Sequence, residues 1–169
     1  MNKSNIEDKG MAKVILICGK ICCGKSTYAE RLRVEVNAVI LSVDEIMLAL
    51  FGLYAGDRHD EYAAKTKKYL LDKSVEIIES GANVILDWGF WTKDERSSVK
   101  EFFTAKKIAH EFHYLDVNDK TWRVRLDKRN HAVSEGKVNA YIVDENLAAK
   151  FDRIFQMPDR EEIDMWIEY

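Results

Sequence analysis

The sequence predicts a doubly wound α/β fold, a parallel sheet of four to five strands with helices on both faces, and three observations carry that reading. Four short runs, residues 13–18 (KVILIC), 38–43 (AVILSV), 83–86 (NVIL) and 112–117 (FHYLDV), are nearly continuous in apolar residues, as strands covered on both faces are. Helical stretches separate them, which is the pattern of βαβ units joined by right-handed crossovers. One proline and eight glycines in 169 residues leave too little turn punctuation for an all-β sandwich or barrel.

The elements follow in order. Residues 1–10 are polar and charged and are expected to form a flexible N-terminal tail, with Met11 as an alternative start to Met1; residues 11–169 then form a single domain. Strand 13–18 runs into Gly19, and the helix over 25–36 opens with Ser26 and Thr27. Strand 38–43 hands over at Asp44 to a short apolar helix ending at Phe51. Residues 60–80 form a longer helix that stops at Gly81, a C-terminal cap. Strand 83–86 is followed by Asp87, and Thr92 with Glu95 three positions on has the pattern of a capping box. Beyond strand 112–117 comes a helix rich in arginine. Residues 129–139 (RNHAVSEGKVN) then read as a mobile connection to a helix over 144–156. The closing segment, 157–169, alternates apolar and acidic residues and is expected to pack on the domain or on a second copy of the chain.

Composition removes several function classes. With 47% apolar residues the chain is globular, and a formal charge of −3 argues against coating nucleic acid or adsorbing to a membrane surface. The apolar run of residues 14–18 is far shorter than a membrane span or a signal-peptide core. Cys18, Cys22 and Cys23 lie within six residues with no second cluster, which suits reduced thiols in a cytoplasmic protein better than a disulfide framework or a metal site. His59, His110, His113 and His131 have no ligand spacing and receive no role.

Gly19-Lys20-Ile21-Cys22-Cys23-Gly24-Lys25-Ser26 is a complete G-x-x-x-x-G-K-S match, placed between a strand and a helix. The glycines let backbone N–H groups turn inward around phosphates, the lysine reaches the β- and γ-phosphate oxygens, and the hydroxyl ligates Mg²⁺ at a helix N-terminus that favours anions. Lys25 is therefore assigned to phosphate charge and Ser26 to the metal. Thr27 and the loop amides, those of Cys22 and Cys23 included, take the remaining phosphate oxygens. Cys23 reads either as a thiol activated by the helix or as a small residue tolerated in the loop.

Ligands of open α/β sheets bind beyond the carboxyl ends of the strands, and two aspartates stand there. Asp44 is placed either to cap the following helix or to accept the proton of a substrate hydroxyl as a phosphoryl group moves. Asp87 has the position of an acid that holds Mg²⁺ directly or through water. Trp88 and Trp91 flank Gly89, and stack either on a substrate or into the core. Between Lys120 and Asn130 five basic residues stand against one acid, a net +4 in an acidic chain. Arg125 and Arg129 share one face of that helix, as i,i+4 neighbours do, and suit a lid over developing phosphoryl charge, a solvated basic face being the other reading; nucleic-acid binding is a further use of such a patch.

GKICCGKST, LSVDEI, VILDWGFWTKDER and RVRLDKRN together resemble the small P-loop kinases grouped with the kinase domain of polynucleotide 5′-kinase, zeta toxin and chloramphenicol phosphotransferase. The resemblance covers residues 12–158 and implies a P-loop NTPase three-layer α/β/α fold with a short helical lid at about 125–140. It implies Asp44 as the base, Asp87 as the metal acid, Arg125 and Arg129 as lid arginines, and Arg96 as a contact to substrate or lid, an exposed helical arginine being the other reading. Polynucleotide kinases carry an arginine shortly after the base; here Glu45-Ile46-Met47-Leu48-Ala49-Leu50 has no cation, which favours a small alcohol over a phosphorylated or polynucleotide acceptor. The expected activity is transfer of the γ-phosphoryl of ATP or GTP, with Mg²⁺, to a hydroxyl of a nucleoside, sugar or antibiotic, by a monomer or homodimer. A nucleotide-hydrolysing regulatory module and a 5′-hydroxyl polynucleotide kinase are the alternatives.

Overall fold

The computed structural model describes residues 11–169, so the tail expected over 1–10 lies outside the described residues. Five parallel strands stand in the order β2-β3-β1-β4-β5: β1 (Lys13–Cys18), β2 (Ala38–Ser42), β3 (Asn83–Asp87), β4 (Ala109–Asp116) and β5 (Met165–Glu168). Six α-helices connect them: α1 (Lys25–Val36), α2 (Val43–Phe51), α3 (His59–Glu79), α4 (Lys93–Ala105), α5 (Asp119–Ser134) and α6 (Glu145–Ile154).

Side-chain alternation along β1 builds the three layers. Val14, Leu16 and Cys18 face Met47 of α2, Leu70 of α3, and Val99 and Phe103 of α4, while Ile15 and Ile17 face Tyr28, Ala29 and Leu32 of α1. All five of these β1 residues are at most 1% exposed, so the strand is covered on both faces. The chain runs from β1 to β2 and β3 on one side and to β4 on the other, which makes the carboxyl end of β1 a topological switch point.

The sequence left open whether four or five strands form. The fifth is the four-residue β5, within the C-terminal segment, which packs as an edge strand: Met165 to Glu168 pair in parallel with His113 to Asp116. Its Trp166 donates from Nε1 to Asp116 at 3.1 Å and rests edge-on against Tyr114. Among the described residues no helix is long and apolar enough to cross a membrane.

Candidate active site

Gly19 leaves β1 and Gly24 starts α1, and neither position tolerates a side chain. A Cβ on Gly19 would lie 2.7 Å from the Cys23 sulfur, and one on Gly24, whose φ is +105°, would lie 3.0 Å from Arg125 Nη1. Between them Cys22 takes φ 58°, a left-handed conformation that non-glycine residues rarely adopt outside constrained sites. The coil is closed by the Cys23 N–H donating to the Lys20 carbonyl at 3.3 Å and supported by the Trp122 indole donating to the Ile21 carbonyl at 2.7 Å. Gly24 supplies no capping side chain, so the first-turn N–H groups of Lys25, Ser26 and Thr27 remain for an anion. Lys25 bends over the loop and donates to the carbonyls of Gly19 (3.1 Å) and Lys20 (2.8 Å). Cys23 is 1% exposed and packs among the α1-side core residues, and Cys18, also buried, has its thiol pushed up to about 12 by burial.

Parallel register sets Ser42 beside Asp87 at the carboxyl ends of β2 and β3. Ser42 caps α2, its hydroxyl accepting from the Glu45 N–H at 3.4 Å, so the capping alternative for Asp44 is removed. Asp44, in the first turn of the helix, is exposed. Asp87 is 7% exposed. Burial pushes its carboxyl above the usual range; a hydrogen bond from the Ser26 hydroxyl and the Lys25 charge oppose that shift, and the Asp44 charge adds to it. The two aspartates therefore feel one another across the crevice that the loop borders.

Ser26 and Asp87 present hard oxygen ligands side by side at a helix N-terminus. That set fits Mg²⁺, which is commonly held by one or two protein oxygens together with phosphate oxygens. Among the described residues no group of three or more His, Cys, Asp or Glu side chains offers a cage made of protein alone.

α5 brings Arg125 to the loop, with Arg129 one turn further along the same helix. Asn118 caps it, accepting from the Thr121 N–H at 2.9 Å. Arg125 donates to the Cys23 carbonyl and lies 4.5 Å from the centre of the Tyr169 ring. Arg129 donates to the Tyr141 carbonyl at 2.7 Å; burial raises the pKa of the Cys22 thiol and the Arg129 charge opposes that shift. Arg123, off this face, is exposed.

The structure departs from both readings of Arg96 and selects the core reading of Trp88. Arg96 is neither a free helical arginine nor a group facing the crevice. It is 2% exposed, with Nε 2.8 Å from Glu162, and its Nη1 donates to the carbonyls of Phe90 (3.2 Å) and Gln156 (2.9 Å). It ties the chain beyond β3 to the C-terminal segment. Arg96→Ala is expected to lower unfolding free energy by about 3 kcal/mol, read as a lower urea midpoint, because Glu162 is left without its partner in a largely buried place. Arg96 holds the Glu162 carboxyl below its ordinary value. The tie therefore contributes fully above the ordinary glutamate pKa and is lost as pH falls through the depressed one, so the gap between variant and wild type should narrow in acid. Trp88 is 6% exposed and stacked on Phe90 at 4.9 Å, so it packs in the core and leaves no ring face for a substrate. Trp91 likewise packs against Phe151, at 4.3 Å.

Sequence reasoning missed Trp122 as the support of the loop.

A family model described as an AAA domain matches residues 14–152. No curated protein matches the chain. Among solved structures, the chain is similar to a candidate kinase from Chloroflexus aurantiacus J-10-fl, with a TM-score of 0.70 and 15% identity over 94% of this chain and 88% of that one. It is also similar to the APS kinase CysC of Mycobacterium tuberculosis in complex with AMPPNP and APS, with a TM-score of 0.64 and 17% identity over 94% and 88%. A chain of the Pnkp1/Rnl/Hen1 RNA repair complex matches with a TM-score of 0.63 and 22% identity over 91% of this chain and 46% of that one. At these identities the likeness is one of fold.

Proposed function

We propose, from the premise that this chain belongs to the AAA domain family, that it is a kinase transferring the γ-phosphoryl of ATP or GTP to a hydroxyl of a small, uncharged acceptor. The loop 19–27 binds the triphosphate through its amides, with Lys25 swinging from the Gly19 and Lys20 carbonyls to the β- and γ-phosphate oxygens. Mg²⁺, held by Ser26 and Asp87, supplies charge neutralisation and alignment of the phosphates when bound. Asp44 accepts the acceptor's hydroxyl proton as the new O–P bond forms and the bond between the γ-phosphorus and the bridging oxygen breaks. Arg125 and Arg129 offset the charge that develops on the transferring group. Residues 11–169 then act as one domain with a lid at about 125–140.

The observation that carries this reading is the convergence on one loop of Lys25, which donates to the Gly19 and Lys20 carbonyls, and Arg125, which donates to the Cys23 carbonyl, beside the strand-end Asp87. The uncharged acceptor is supported by α2, which places no cation after Asp44.

Calorimetric titration with MgATP and MgGTP tests the nucleotide half of the proposal. Lys25→Ala should weaken binding of the preferred nucleotide by about 10- to 100-fold, the worth of a charge-assisted hydrogen bond, with unchanged circular dichroism. Equal affinity in the variant would contradict the assignment.

A further inference from the structure

Three residues of the phosphate loop, Lys20, Ile21 and Cys23, are each held by a side chain of α5 or α6. The Lys20 ammonium lies 3.1 Å from Asp152 in the last turn of α6 and 3.9 Å from Asp119 in the first turn of α5. The Ile21 carbonyl accepts from the Trp122 indole at 2.7 Å, and the Cys23 carbonyl accepts from Arg125. Within the loop itself, Lys25 donates to the carbonyls of Gly19 and Lys20, and the second of these also accepts the Cys23 N–H at 3.3 Å. A nucleotide acts on these supports unequally. Lys25 and Arg125 are the cations assigned to phosphate charge, so a bound triphosphate draws both from the loop carbonyls, whereas the Lys20 ammonium is engaged with carboxylates. The end of α6 that carries Asp152 is itself anchored: Phe151 packs on Trp91 at 4.3 Å between ring centroids, and the Gln156 N–H donates to the Trp91 carbonyl at 2.7 Å. Beside the ion pair the joint is not filled by packing, since a cavity of about 340 Å³ opens there, lined among others by Lys20, Cys23, Asp119, Asp152 and Phe155.

We propose that Lys20 is a positioning residue: through its pair with Asp152 it keeps the loop coiled around the triphosphate once Lys25 and Arg125 have turned to the phosphates. This rests on the nucleotide half of the kinase reading. When Lys25 leaves, the Lys20 carbonyl is left to the Cys23 N–H, whose 3.3 Å bond is longer than an ordinary N–H to O contact. A loop that loosened at that moment would have to be reordered at the expense of binding energy, and an anchor on its outer side avoids this. The anchor contributes little to the empty loop, where Lys25 holds the same residue through its carbonyl, and more to the filled one. Such a difference between the two states is what appears as affinity. The pair is modest in strength, because the Lys20 side chain is 33% exposed and that of Asp152 65%. Coupling of this kind is reciprocal, so a bound nucleotide should in turn tighten the hold of the loop on α6.

The test is a double-mutant cycle on the full chain, read by calorimetric titration with a non-hydrolysable ATP analogue and Mg²⁺. Lys20→Met and Asp152→Asn should each weaken binding by about 2- to 5-fold, the range for a partly exposed ion pair, and the double variant should be no weaker than the weaker single one. Lys20→Arg, which keeps the charge, should stay nearer to wild type than Lys20→Met. Urea midpoints measured without nucleotide should agree across all of these proteins. Hydrogen exchange supplies the reciprocal readout: the analogue should slow exchange over residues 145–154 in the wild-type chain and do so less in Lys20→Met. Wild-type affinity in Lys20→Met, effects that simply add in the double variant, or equal slowing of exchange in both proteins would overturn the proposal. A urea midpoint that falls in step with affinity would also overturn it, by assigning Lys20 to stability. Absence of analogue binding by the wild-type chain would overturn the nucleotide reading itself, and this role of Lys20 with it.

Discussion

Asp44→Asn is expected to lower phosphoryl transfer by ~10²–10⁴-fold, the usual worth of a positioned general base, while leaving the affinity for MgATP within about 2-fold of wild type. The side chain is exposed at the start of α2 and Ser42 does the capping, so the substitution should not unfold the helix. It removes an exposed carboxylate just beyond the end of β2, whereas Asp87 at the end of β3 is buried. Because Asp44 adds to the upward shift of Asp87, the variant should also let the Asp87 carboxyl titrate lower. Steady-state transfer rates beside calorimetric nucleotide affinity check both halves. Transfer at the wild-type rate would remove Asp44 from the chemistry.

Arg129→Ala is expected to lower kcat by ~10³-fold, in the range seen when a guanidinium facing a transferring phosphoryl is lost. It stands one turn beyond Arg125, which reaches the loop, and itself donates to the Tyr141 carbonyl. Arg129→Lys should recover little, because an ammonium replaces the charge but not the planar fork. Full activity in the lysine variant would mean that position and charge alone suffice.

How much could be read in advance depended on whether the signal was local. The positions of loop residues 19–27, Asp44, Asp87 and the Arg125/Arg129 face in the fold were legible because each depends on spacing along one segment: a glycine pair, a strand end, an i,i+4 step. β1 to β4 were visible as apolar runs. β5 was not, because its four residues, Met165-Trp166-Ile167-Glu168, are too short for a periodicity and gain strand conformation only by pairing with β4. Arg96 was misread for the same reason in reverse. Its partner Glu162 is 66 residues away, and no local pattern reports a long-range ion pair. Trp88 resembled a stacking platform in sequence, but Phe90, at φ 46°, turns the chain so that the two rings cover each other.

The most direct test of the kinase assignment follows radiolabel from [γ-³²P]ATP in the presence of Mg²⁺ and, separately, D-glucose, D-ribose, adenosine, chloramphenicol and a 5′-hydroxyl oligonucleotide. Label should appear on a small uncharged acceptor with the wild-type chain, and should be lost with Asp44→Asn at unchanged ATP affinity. Label released only as inorganic phosphate under every condition, at equal rates in both proteins, would contradict a kinase and point to a nucleotide-hydrolysing regulatory module.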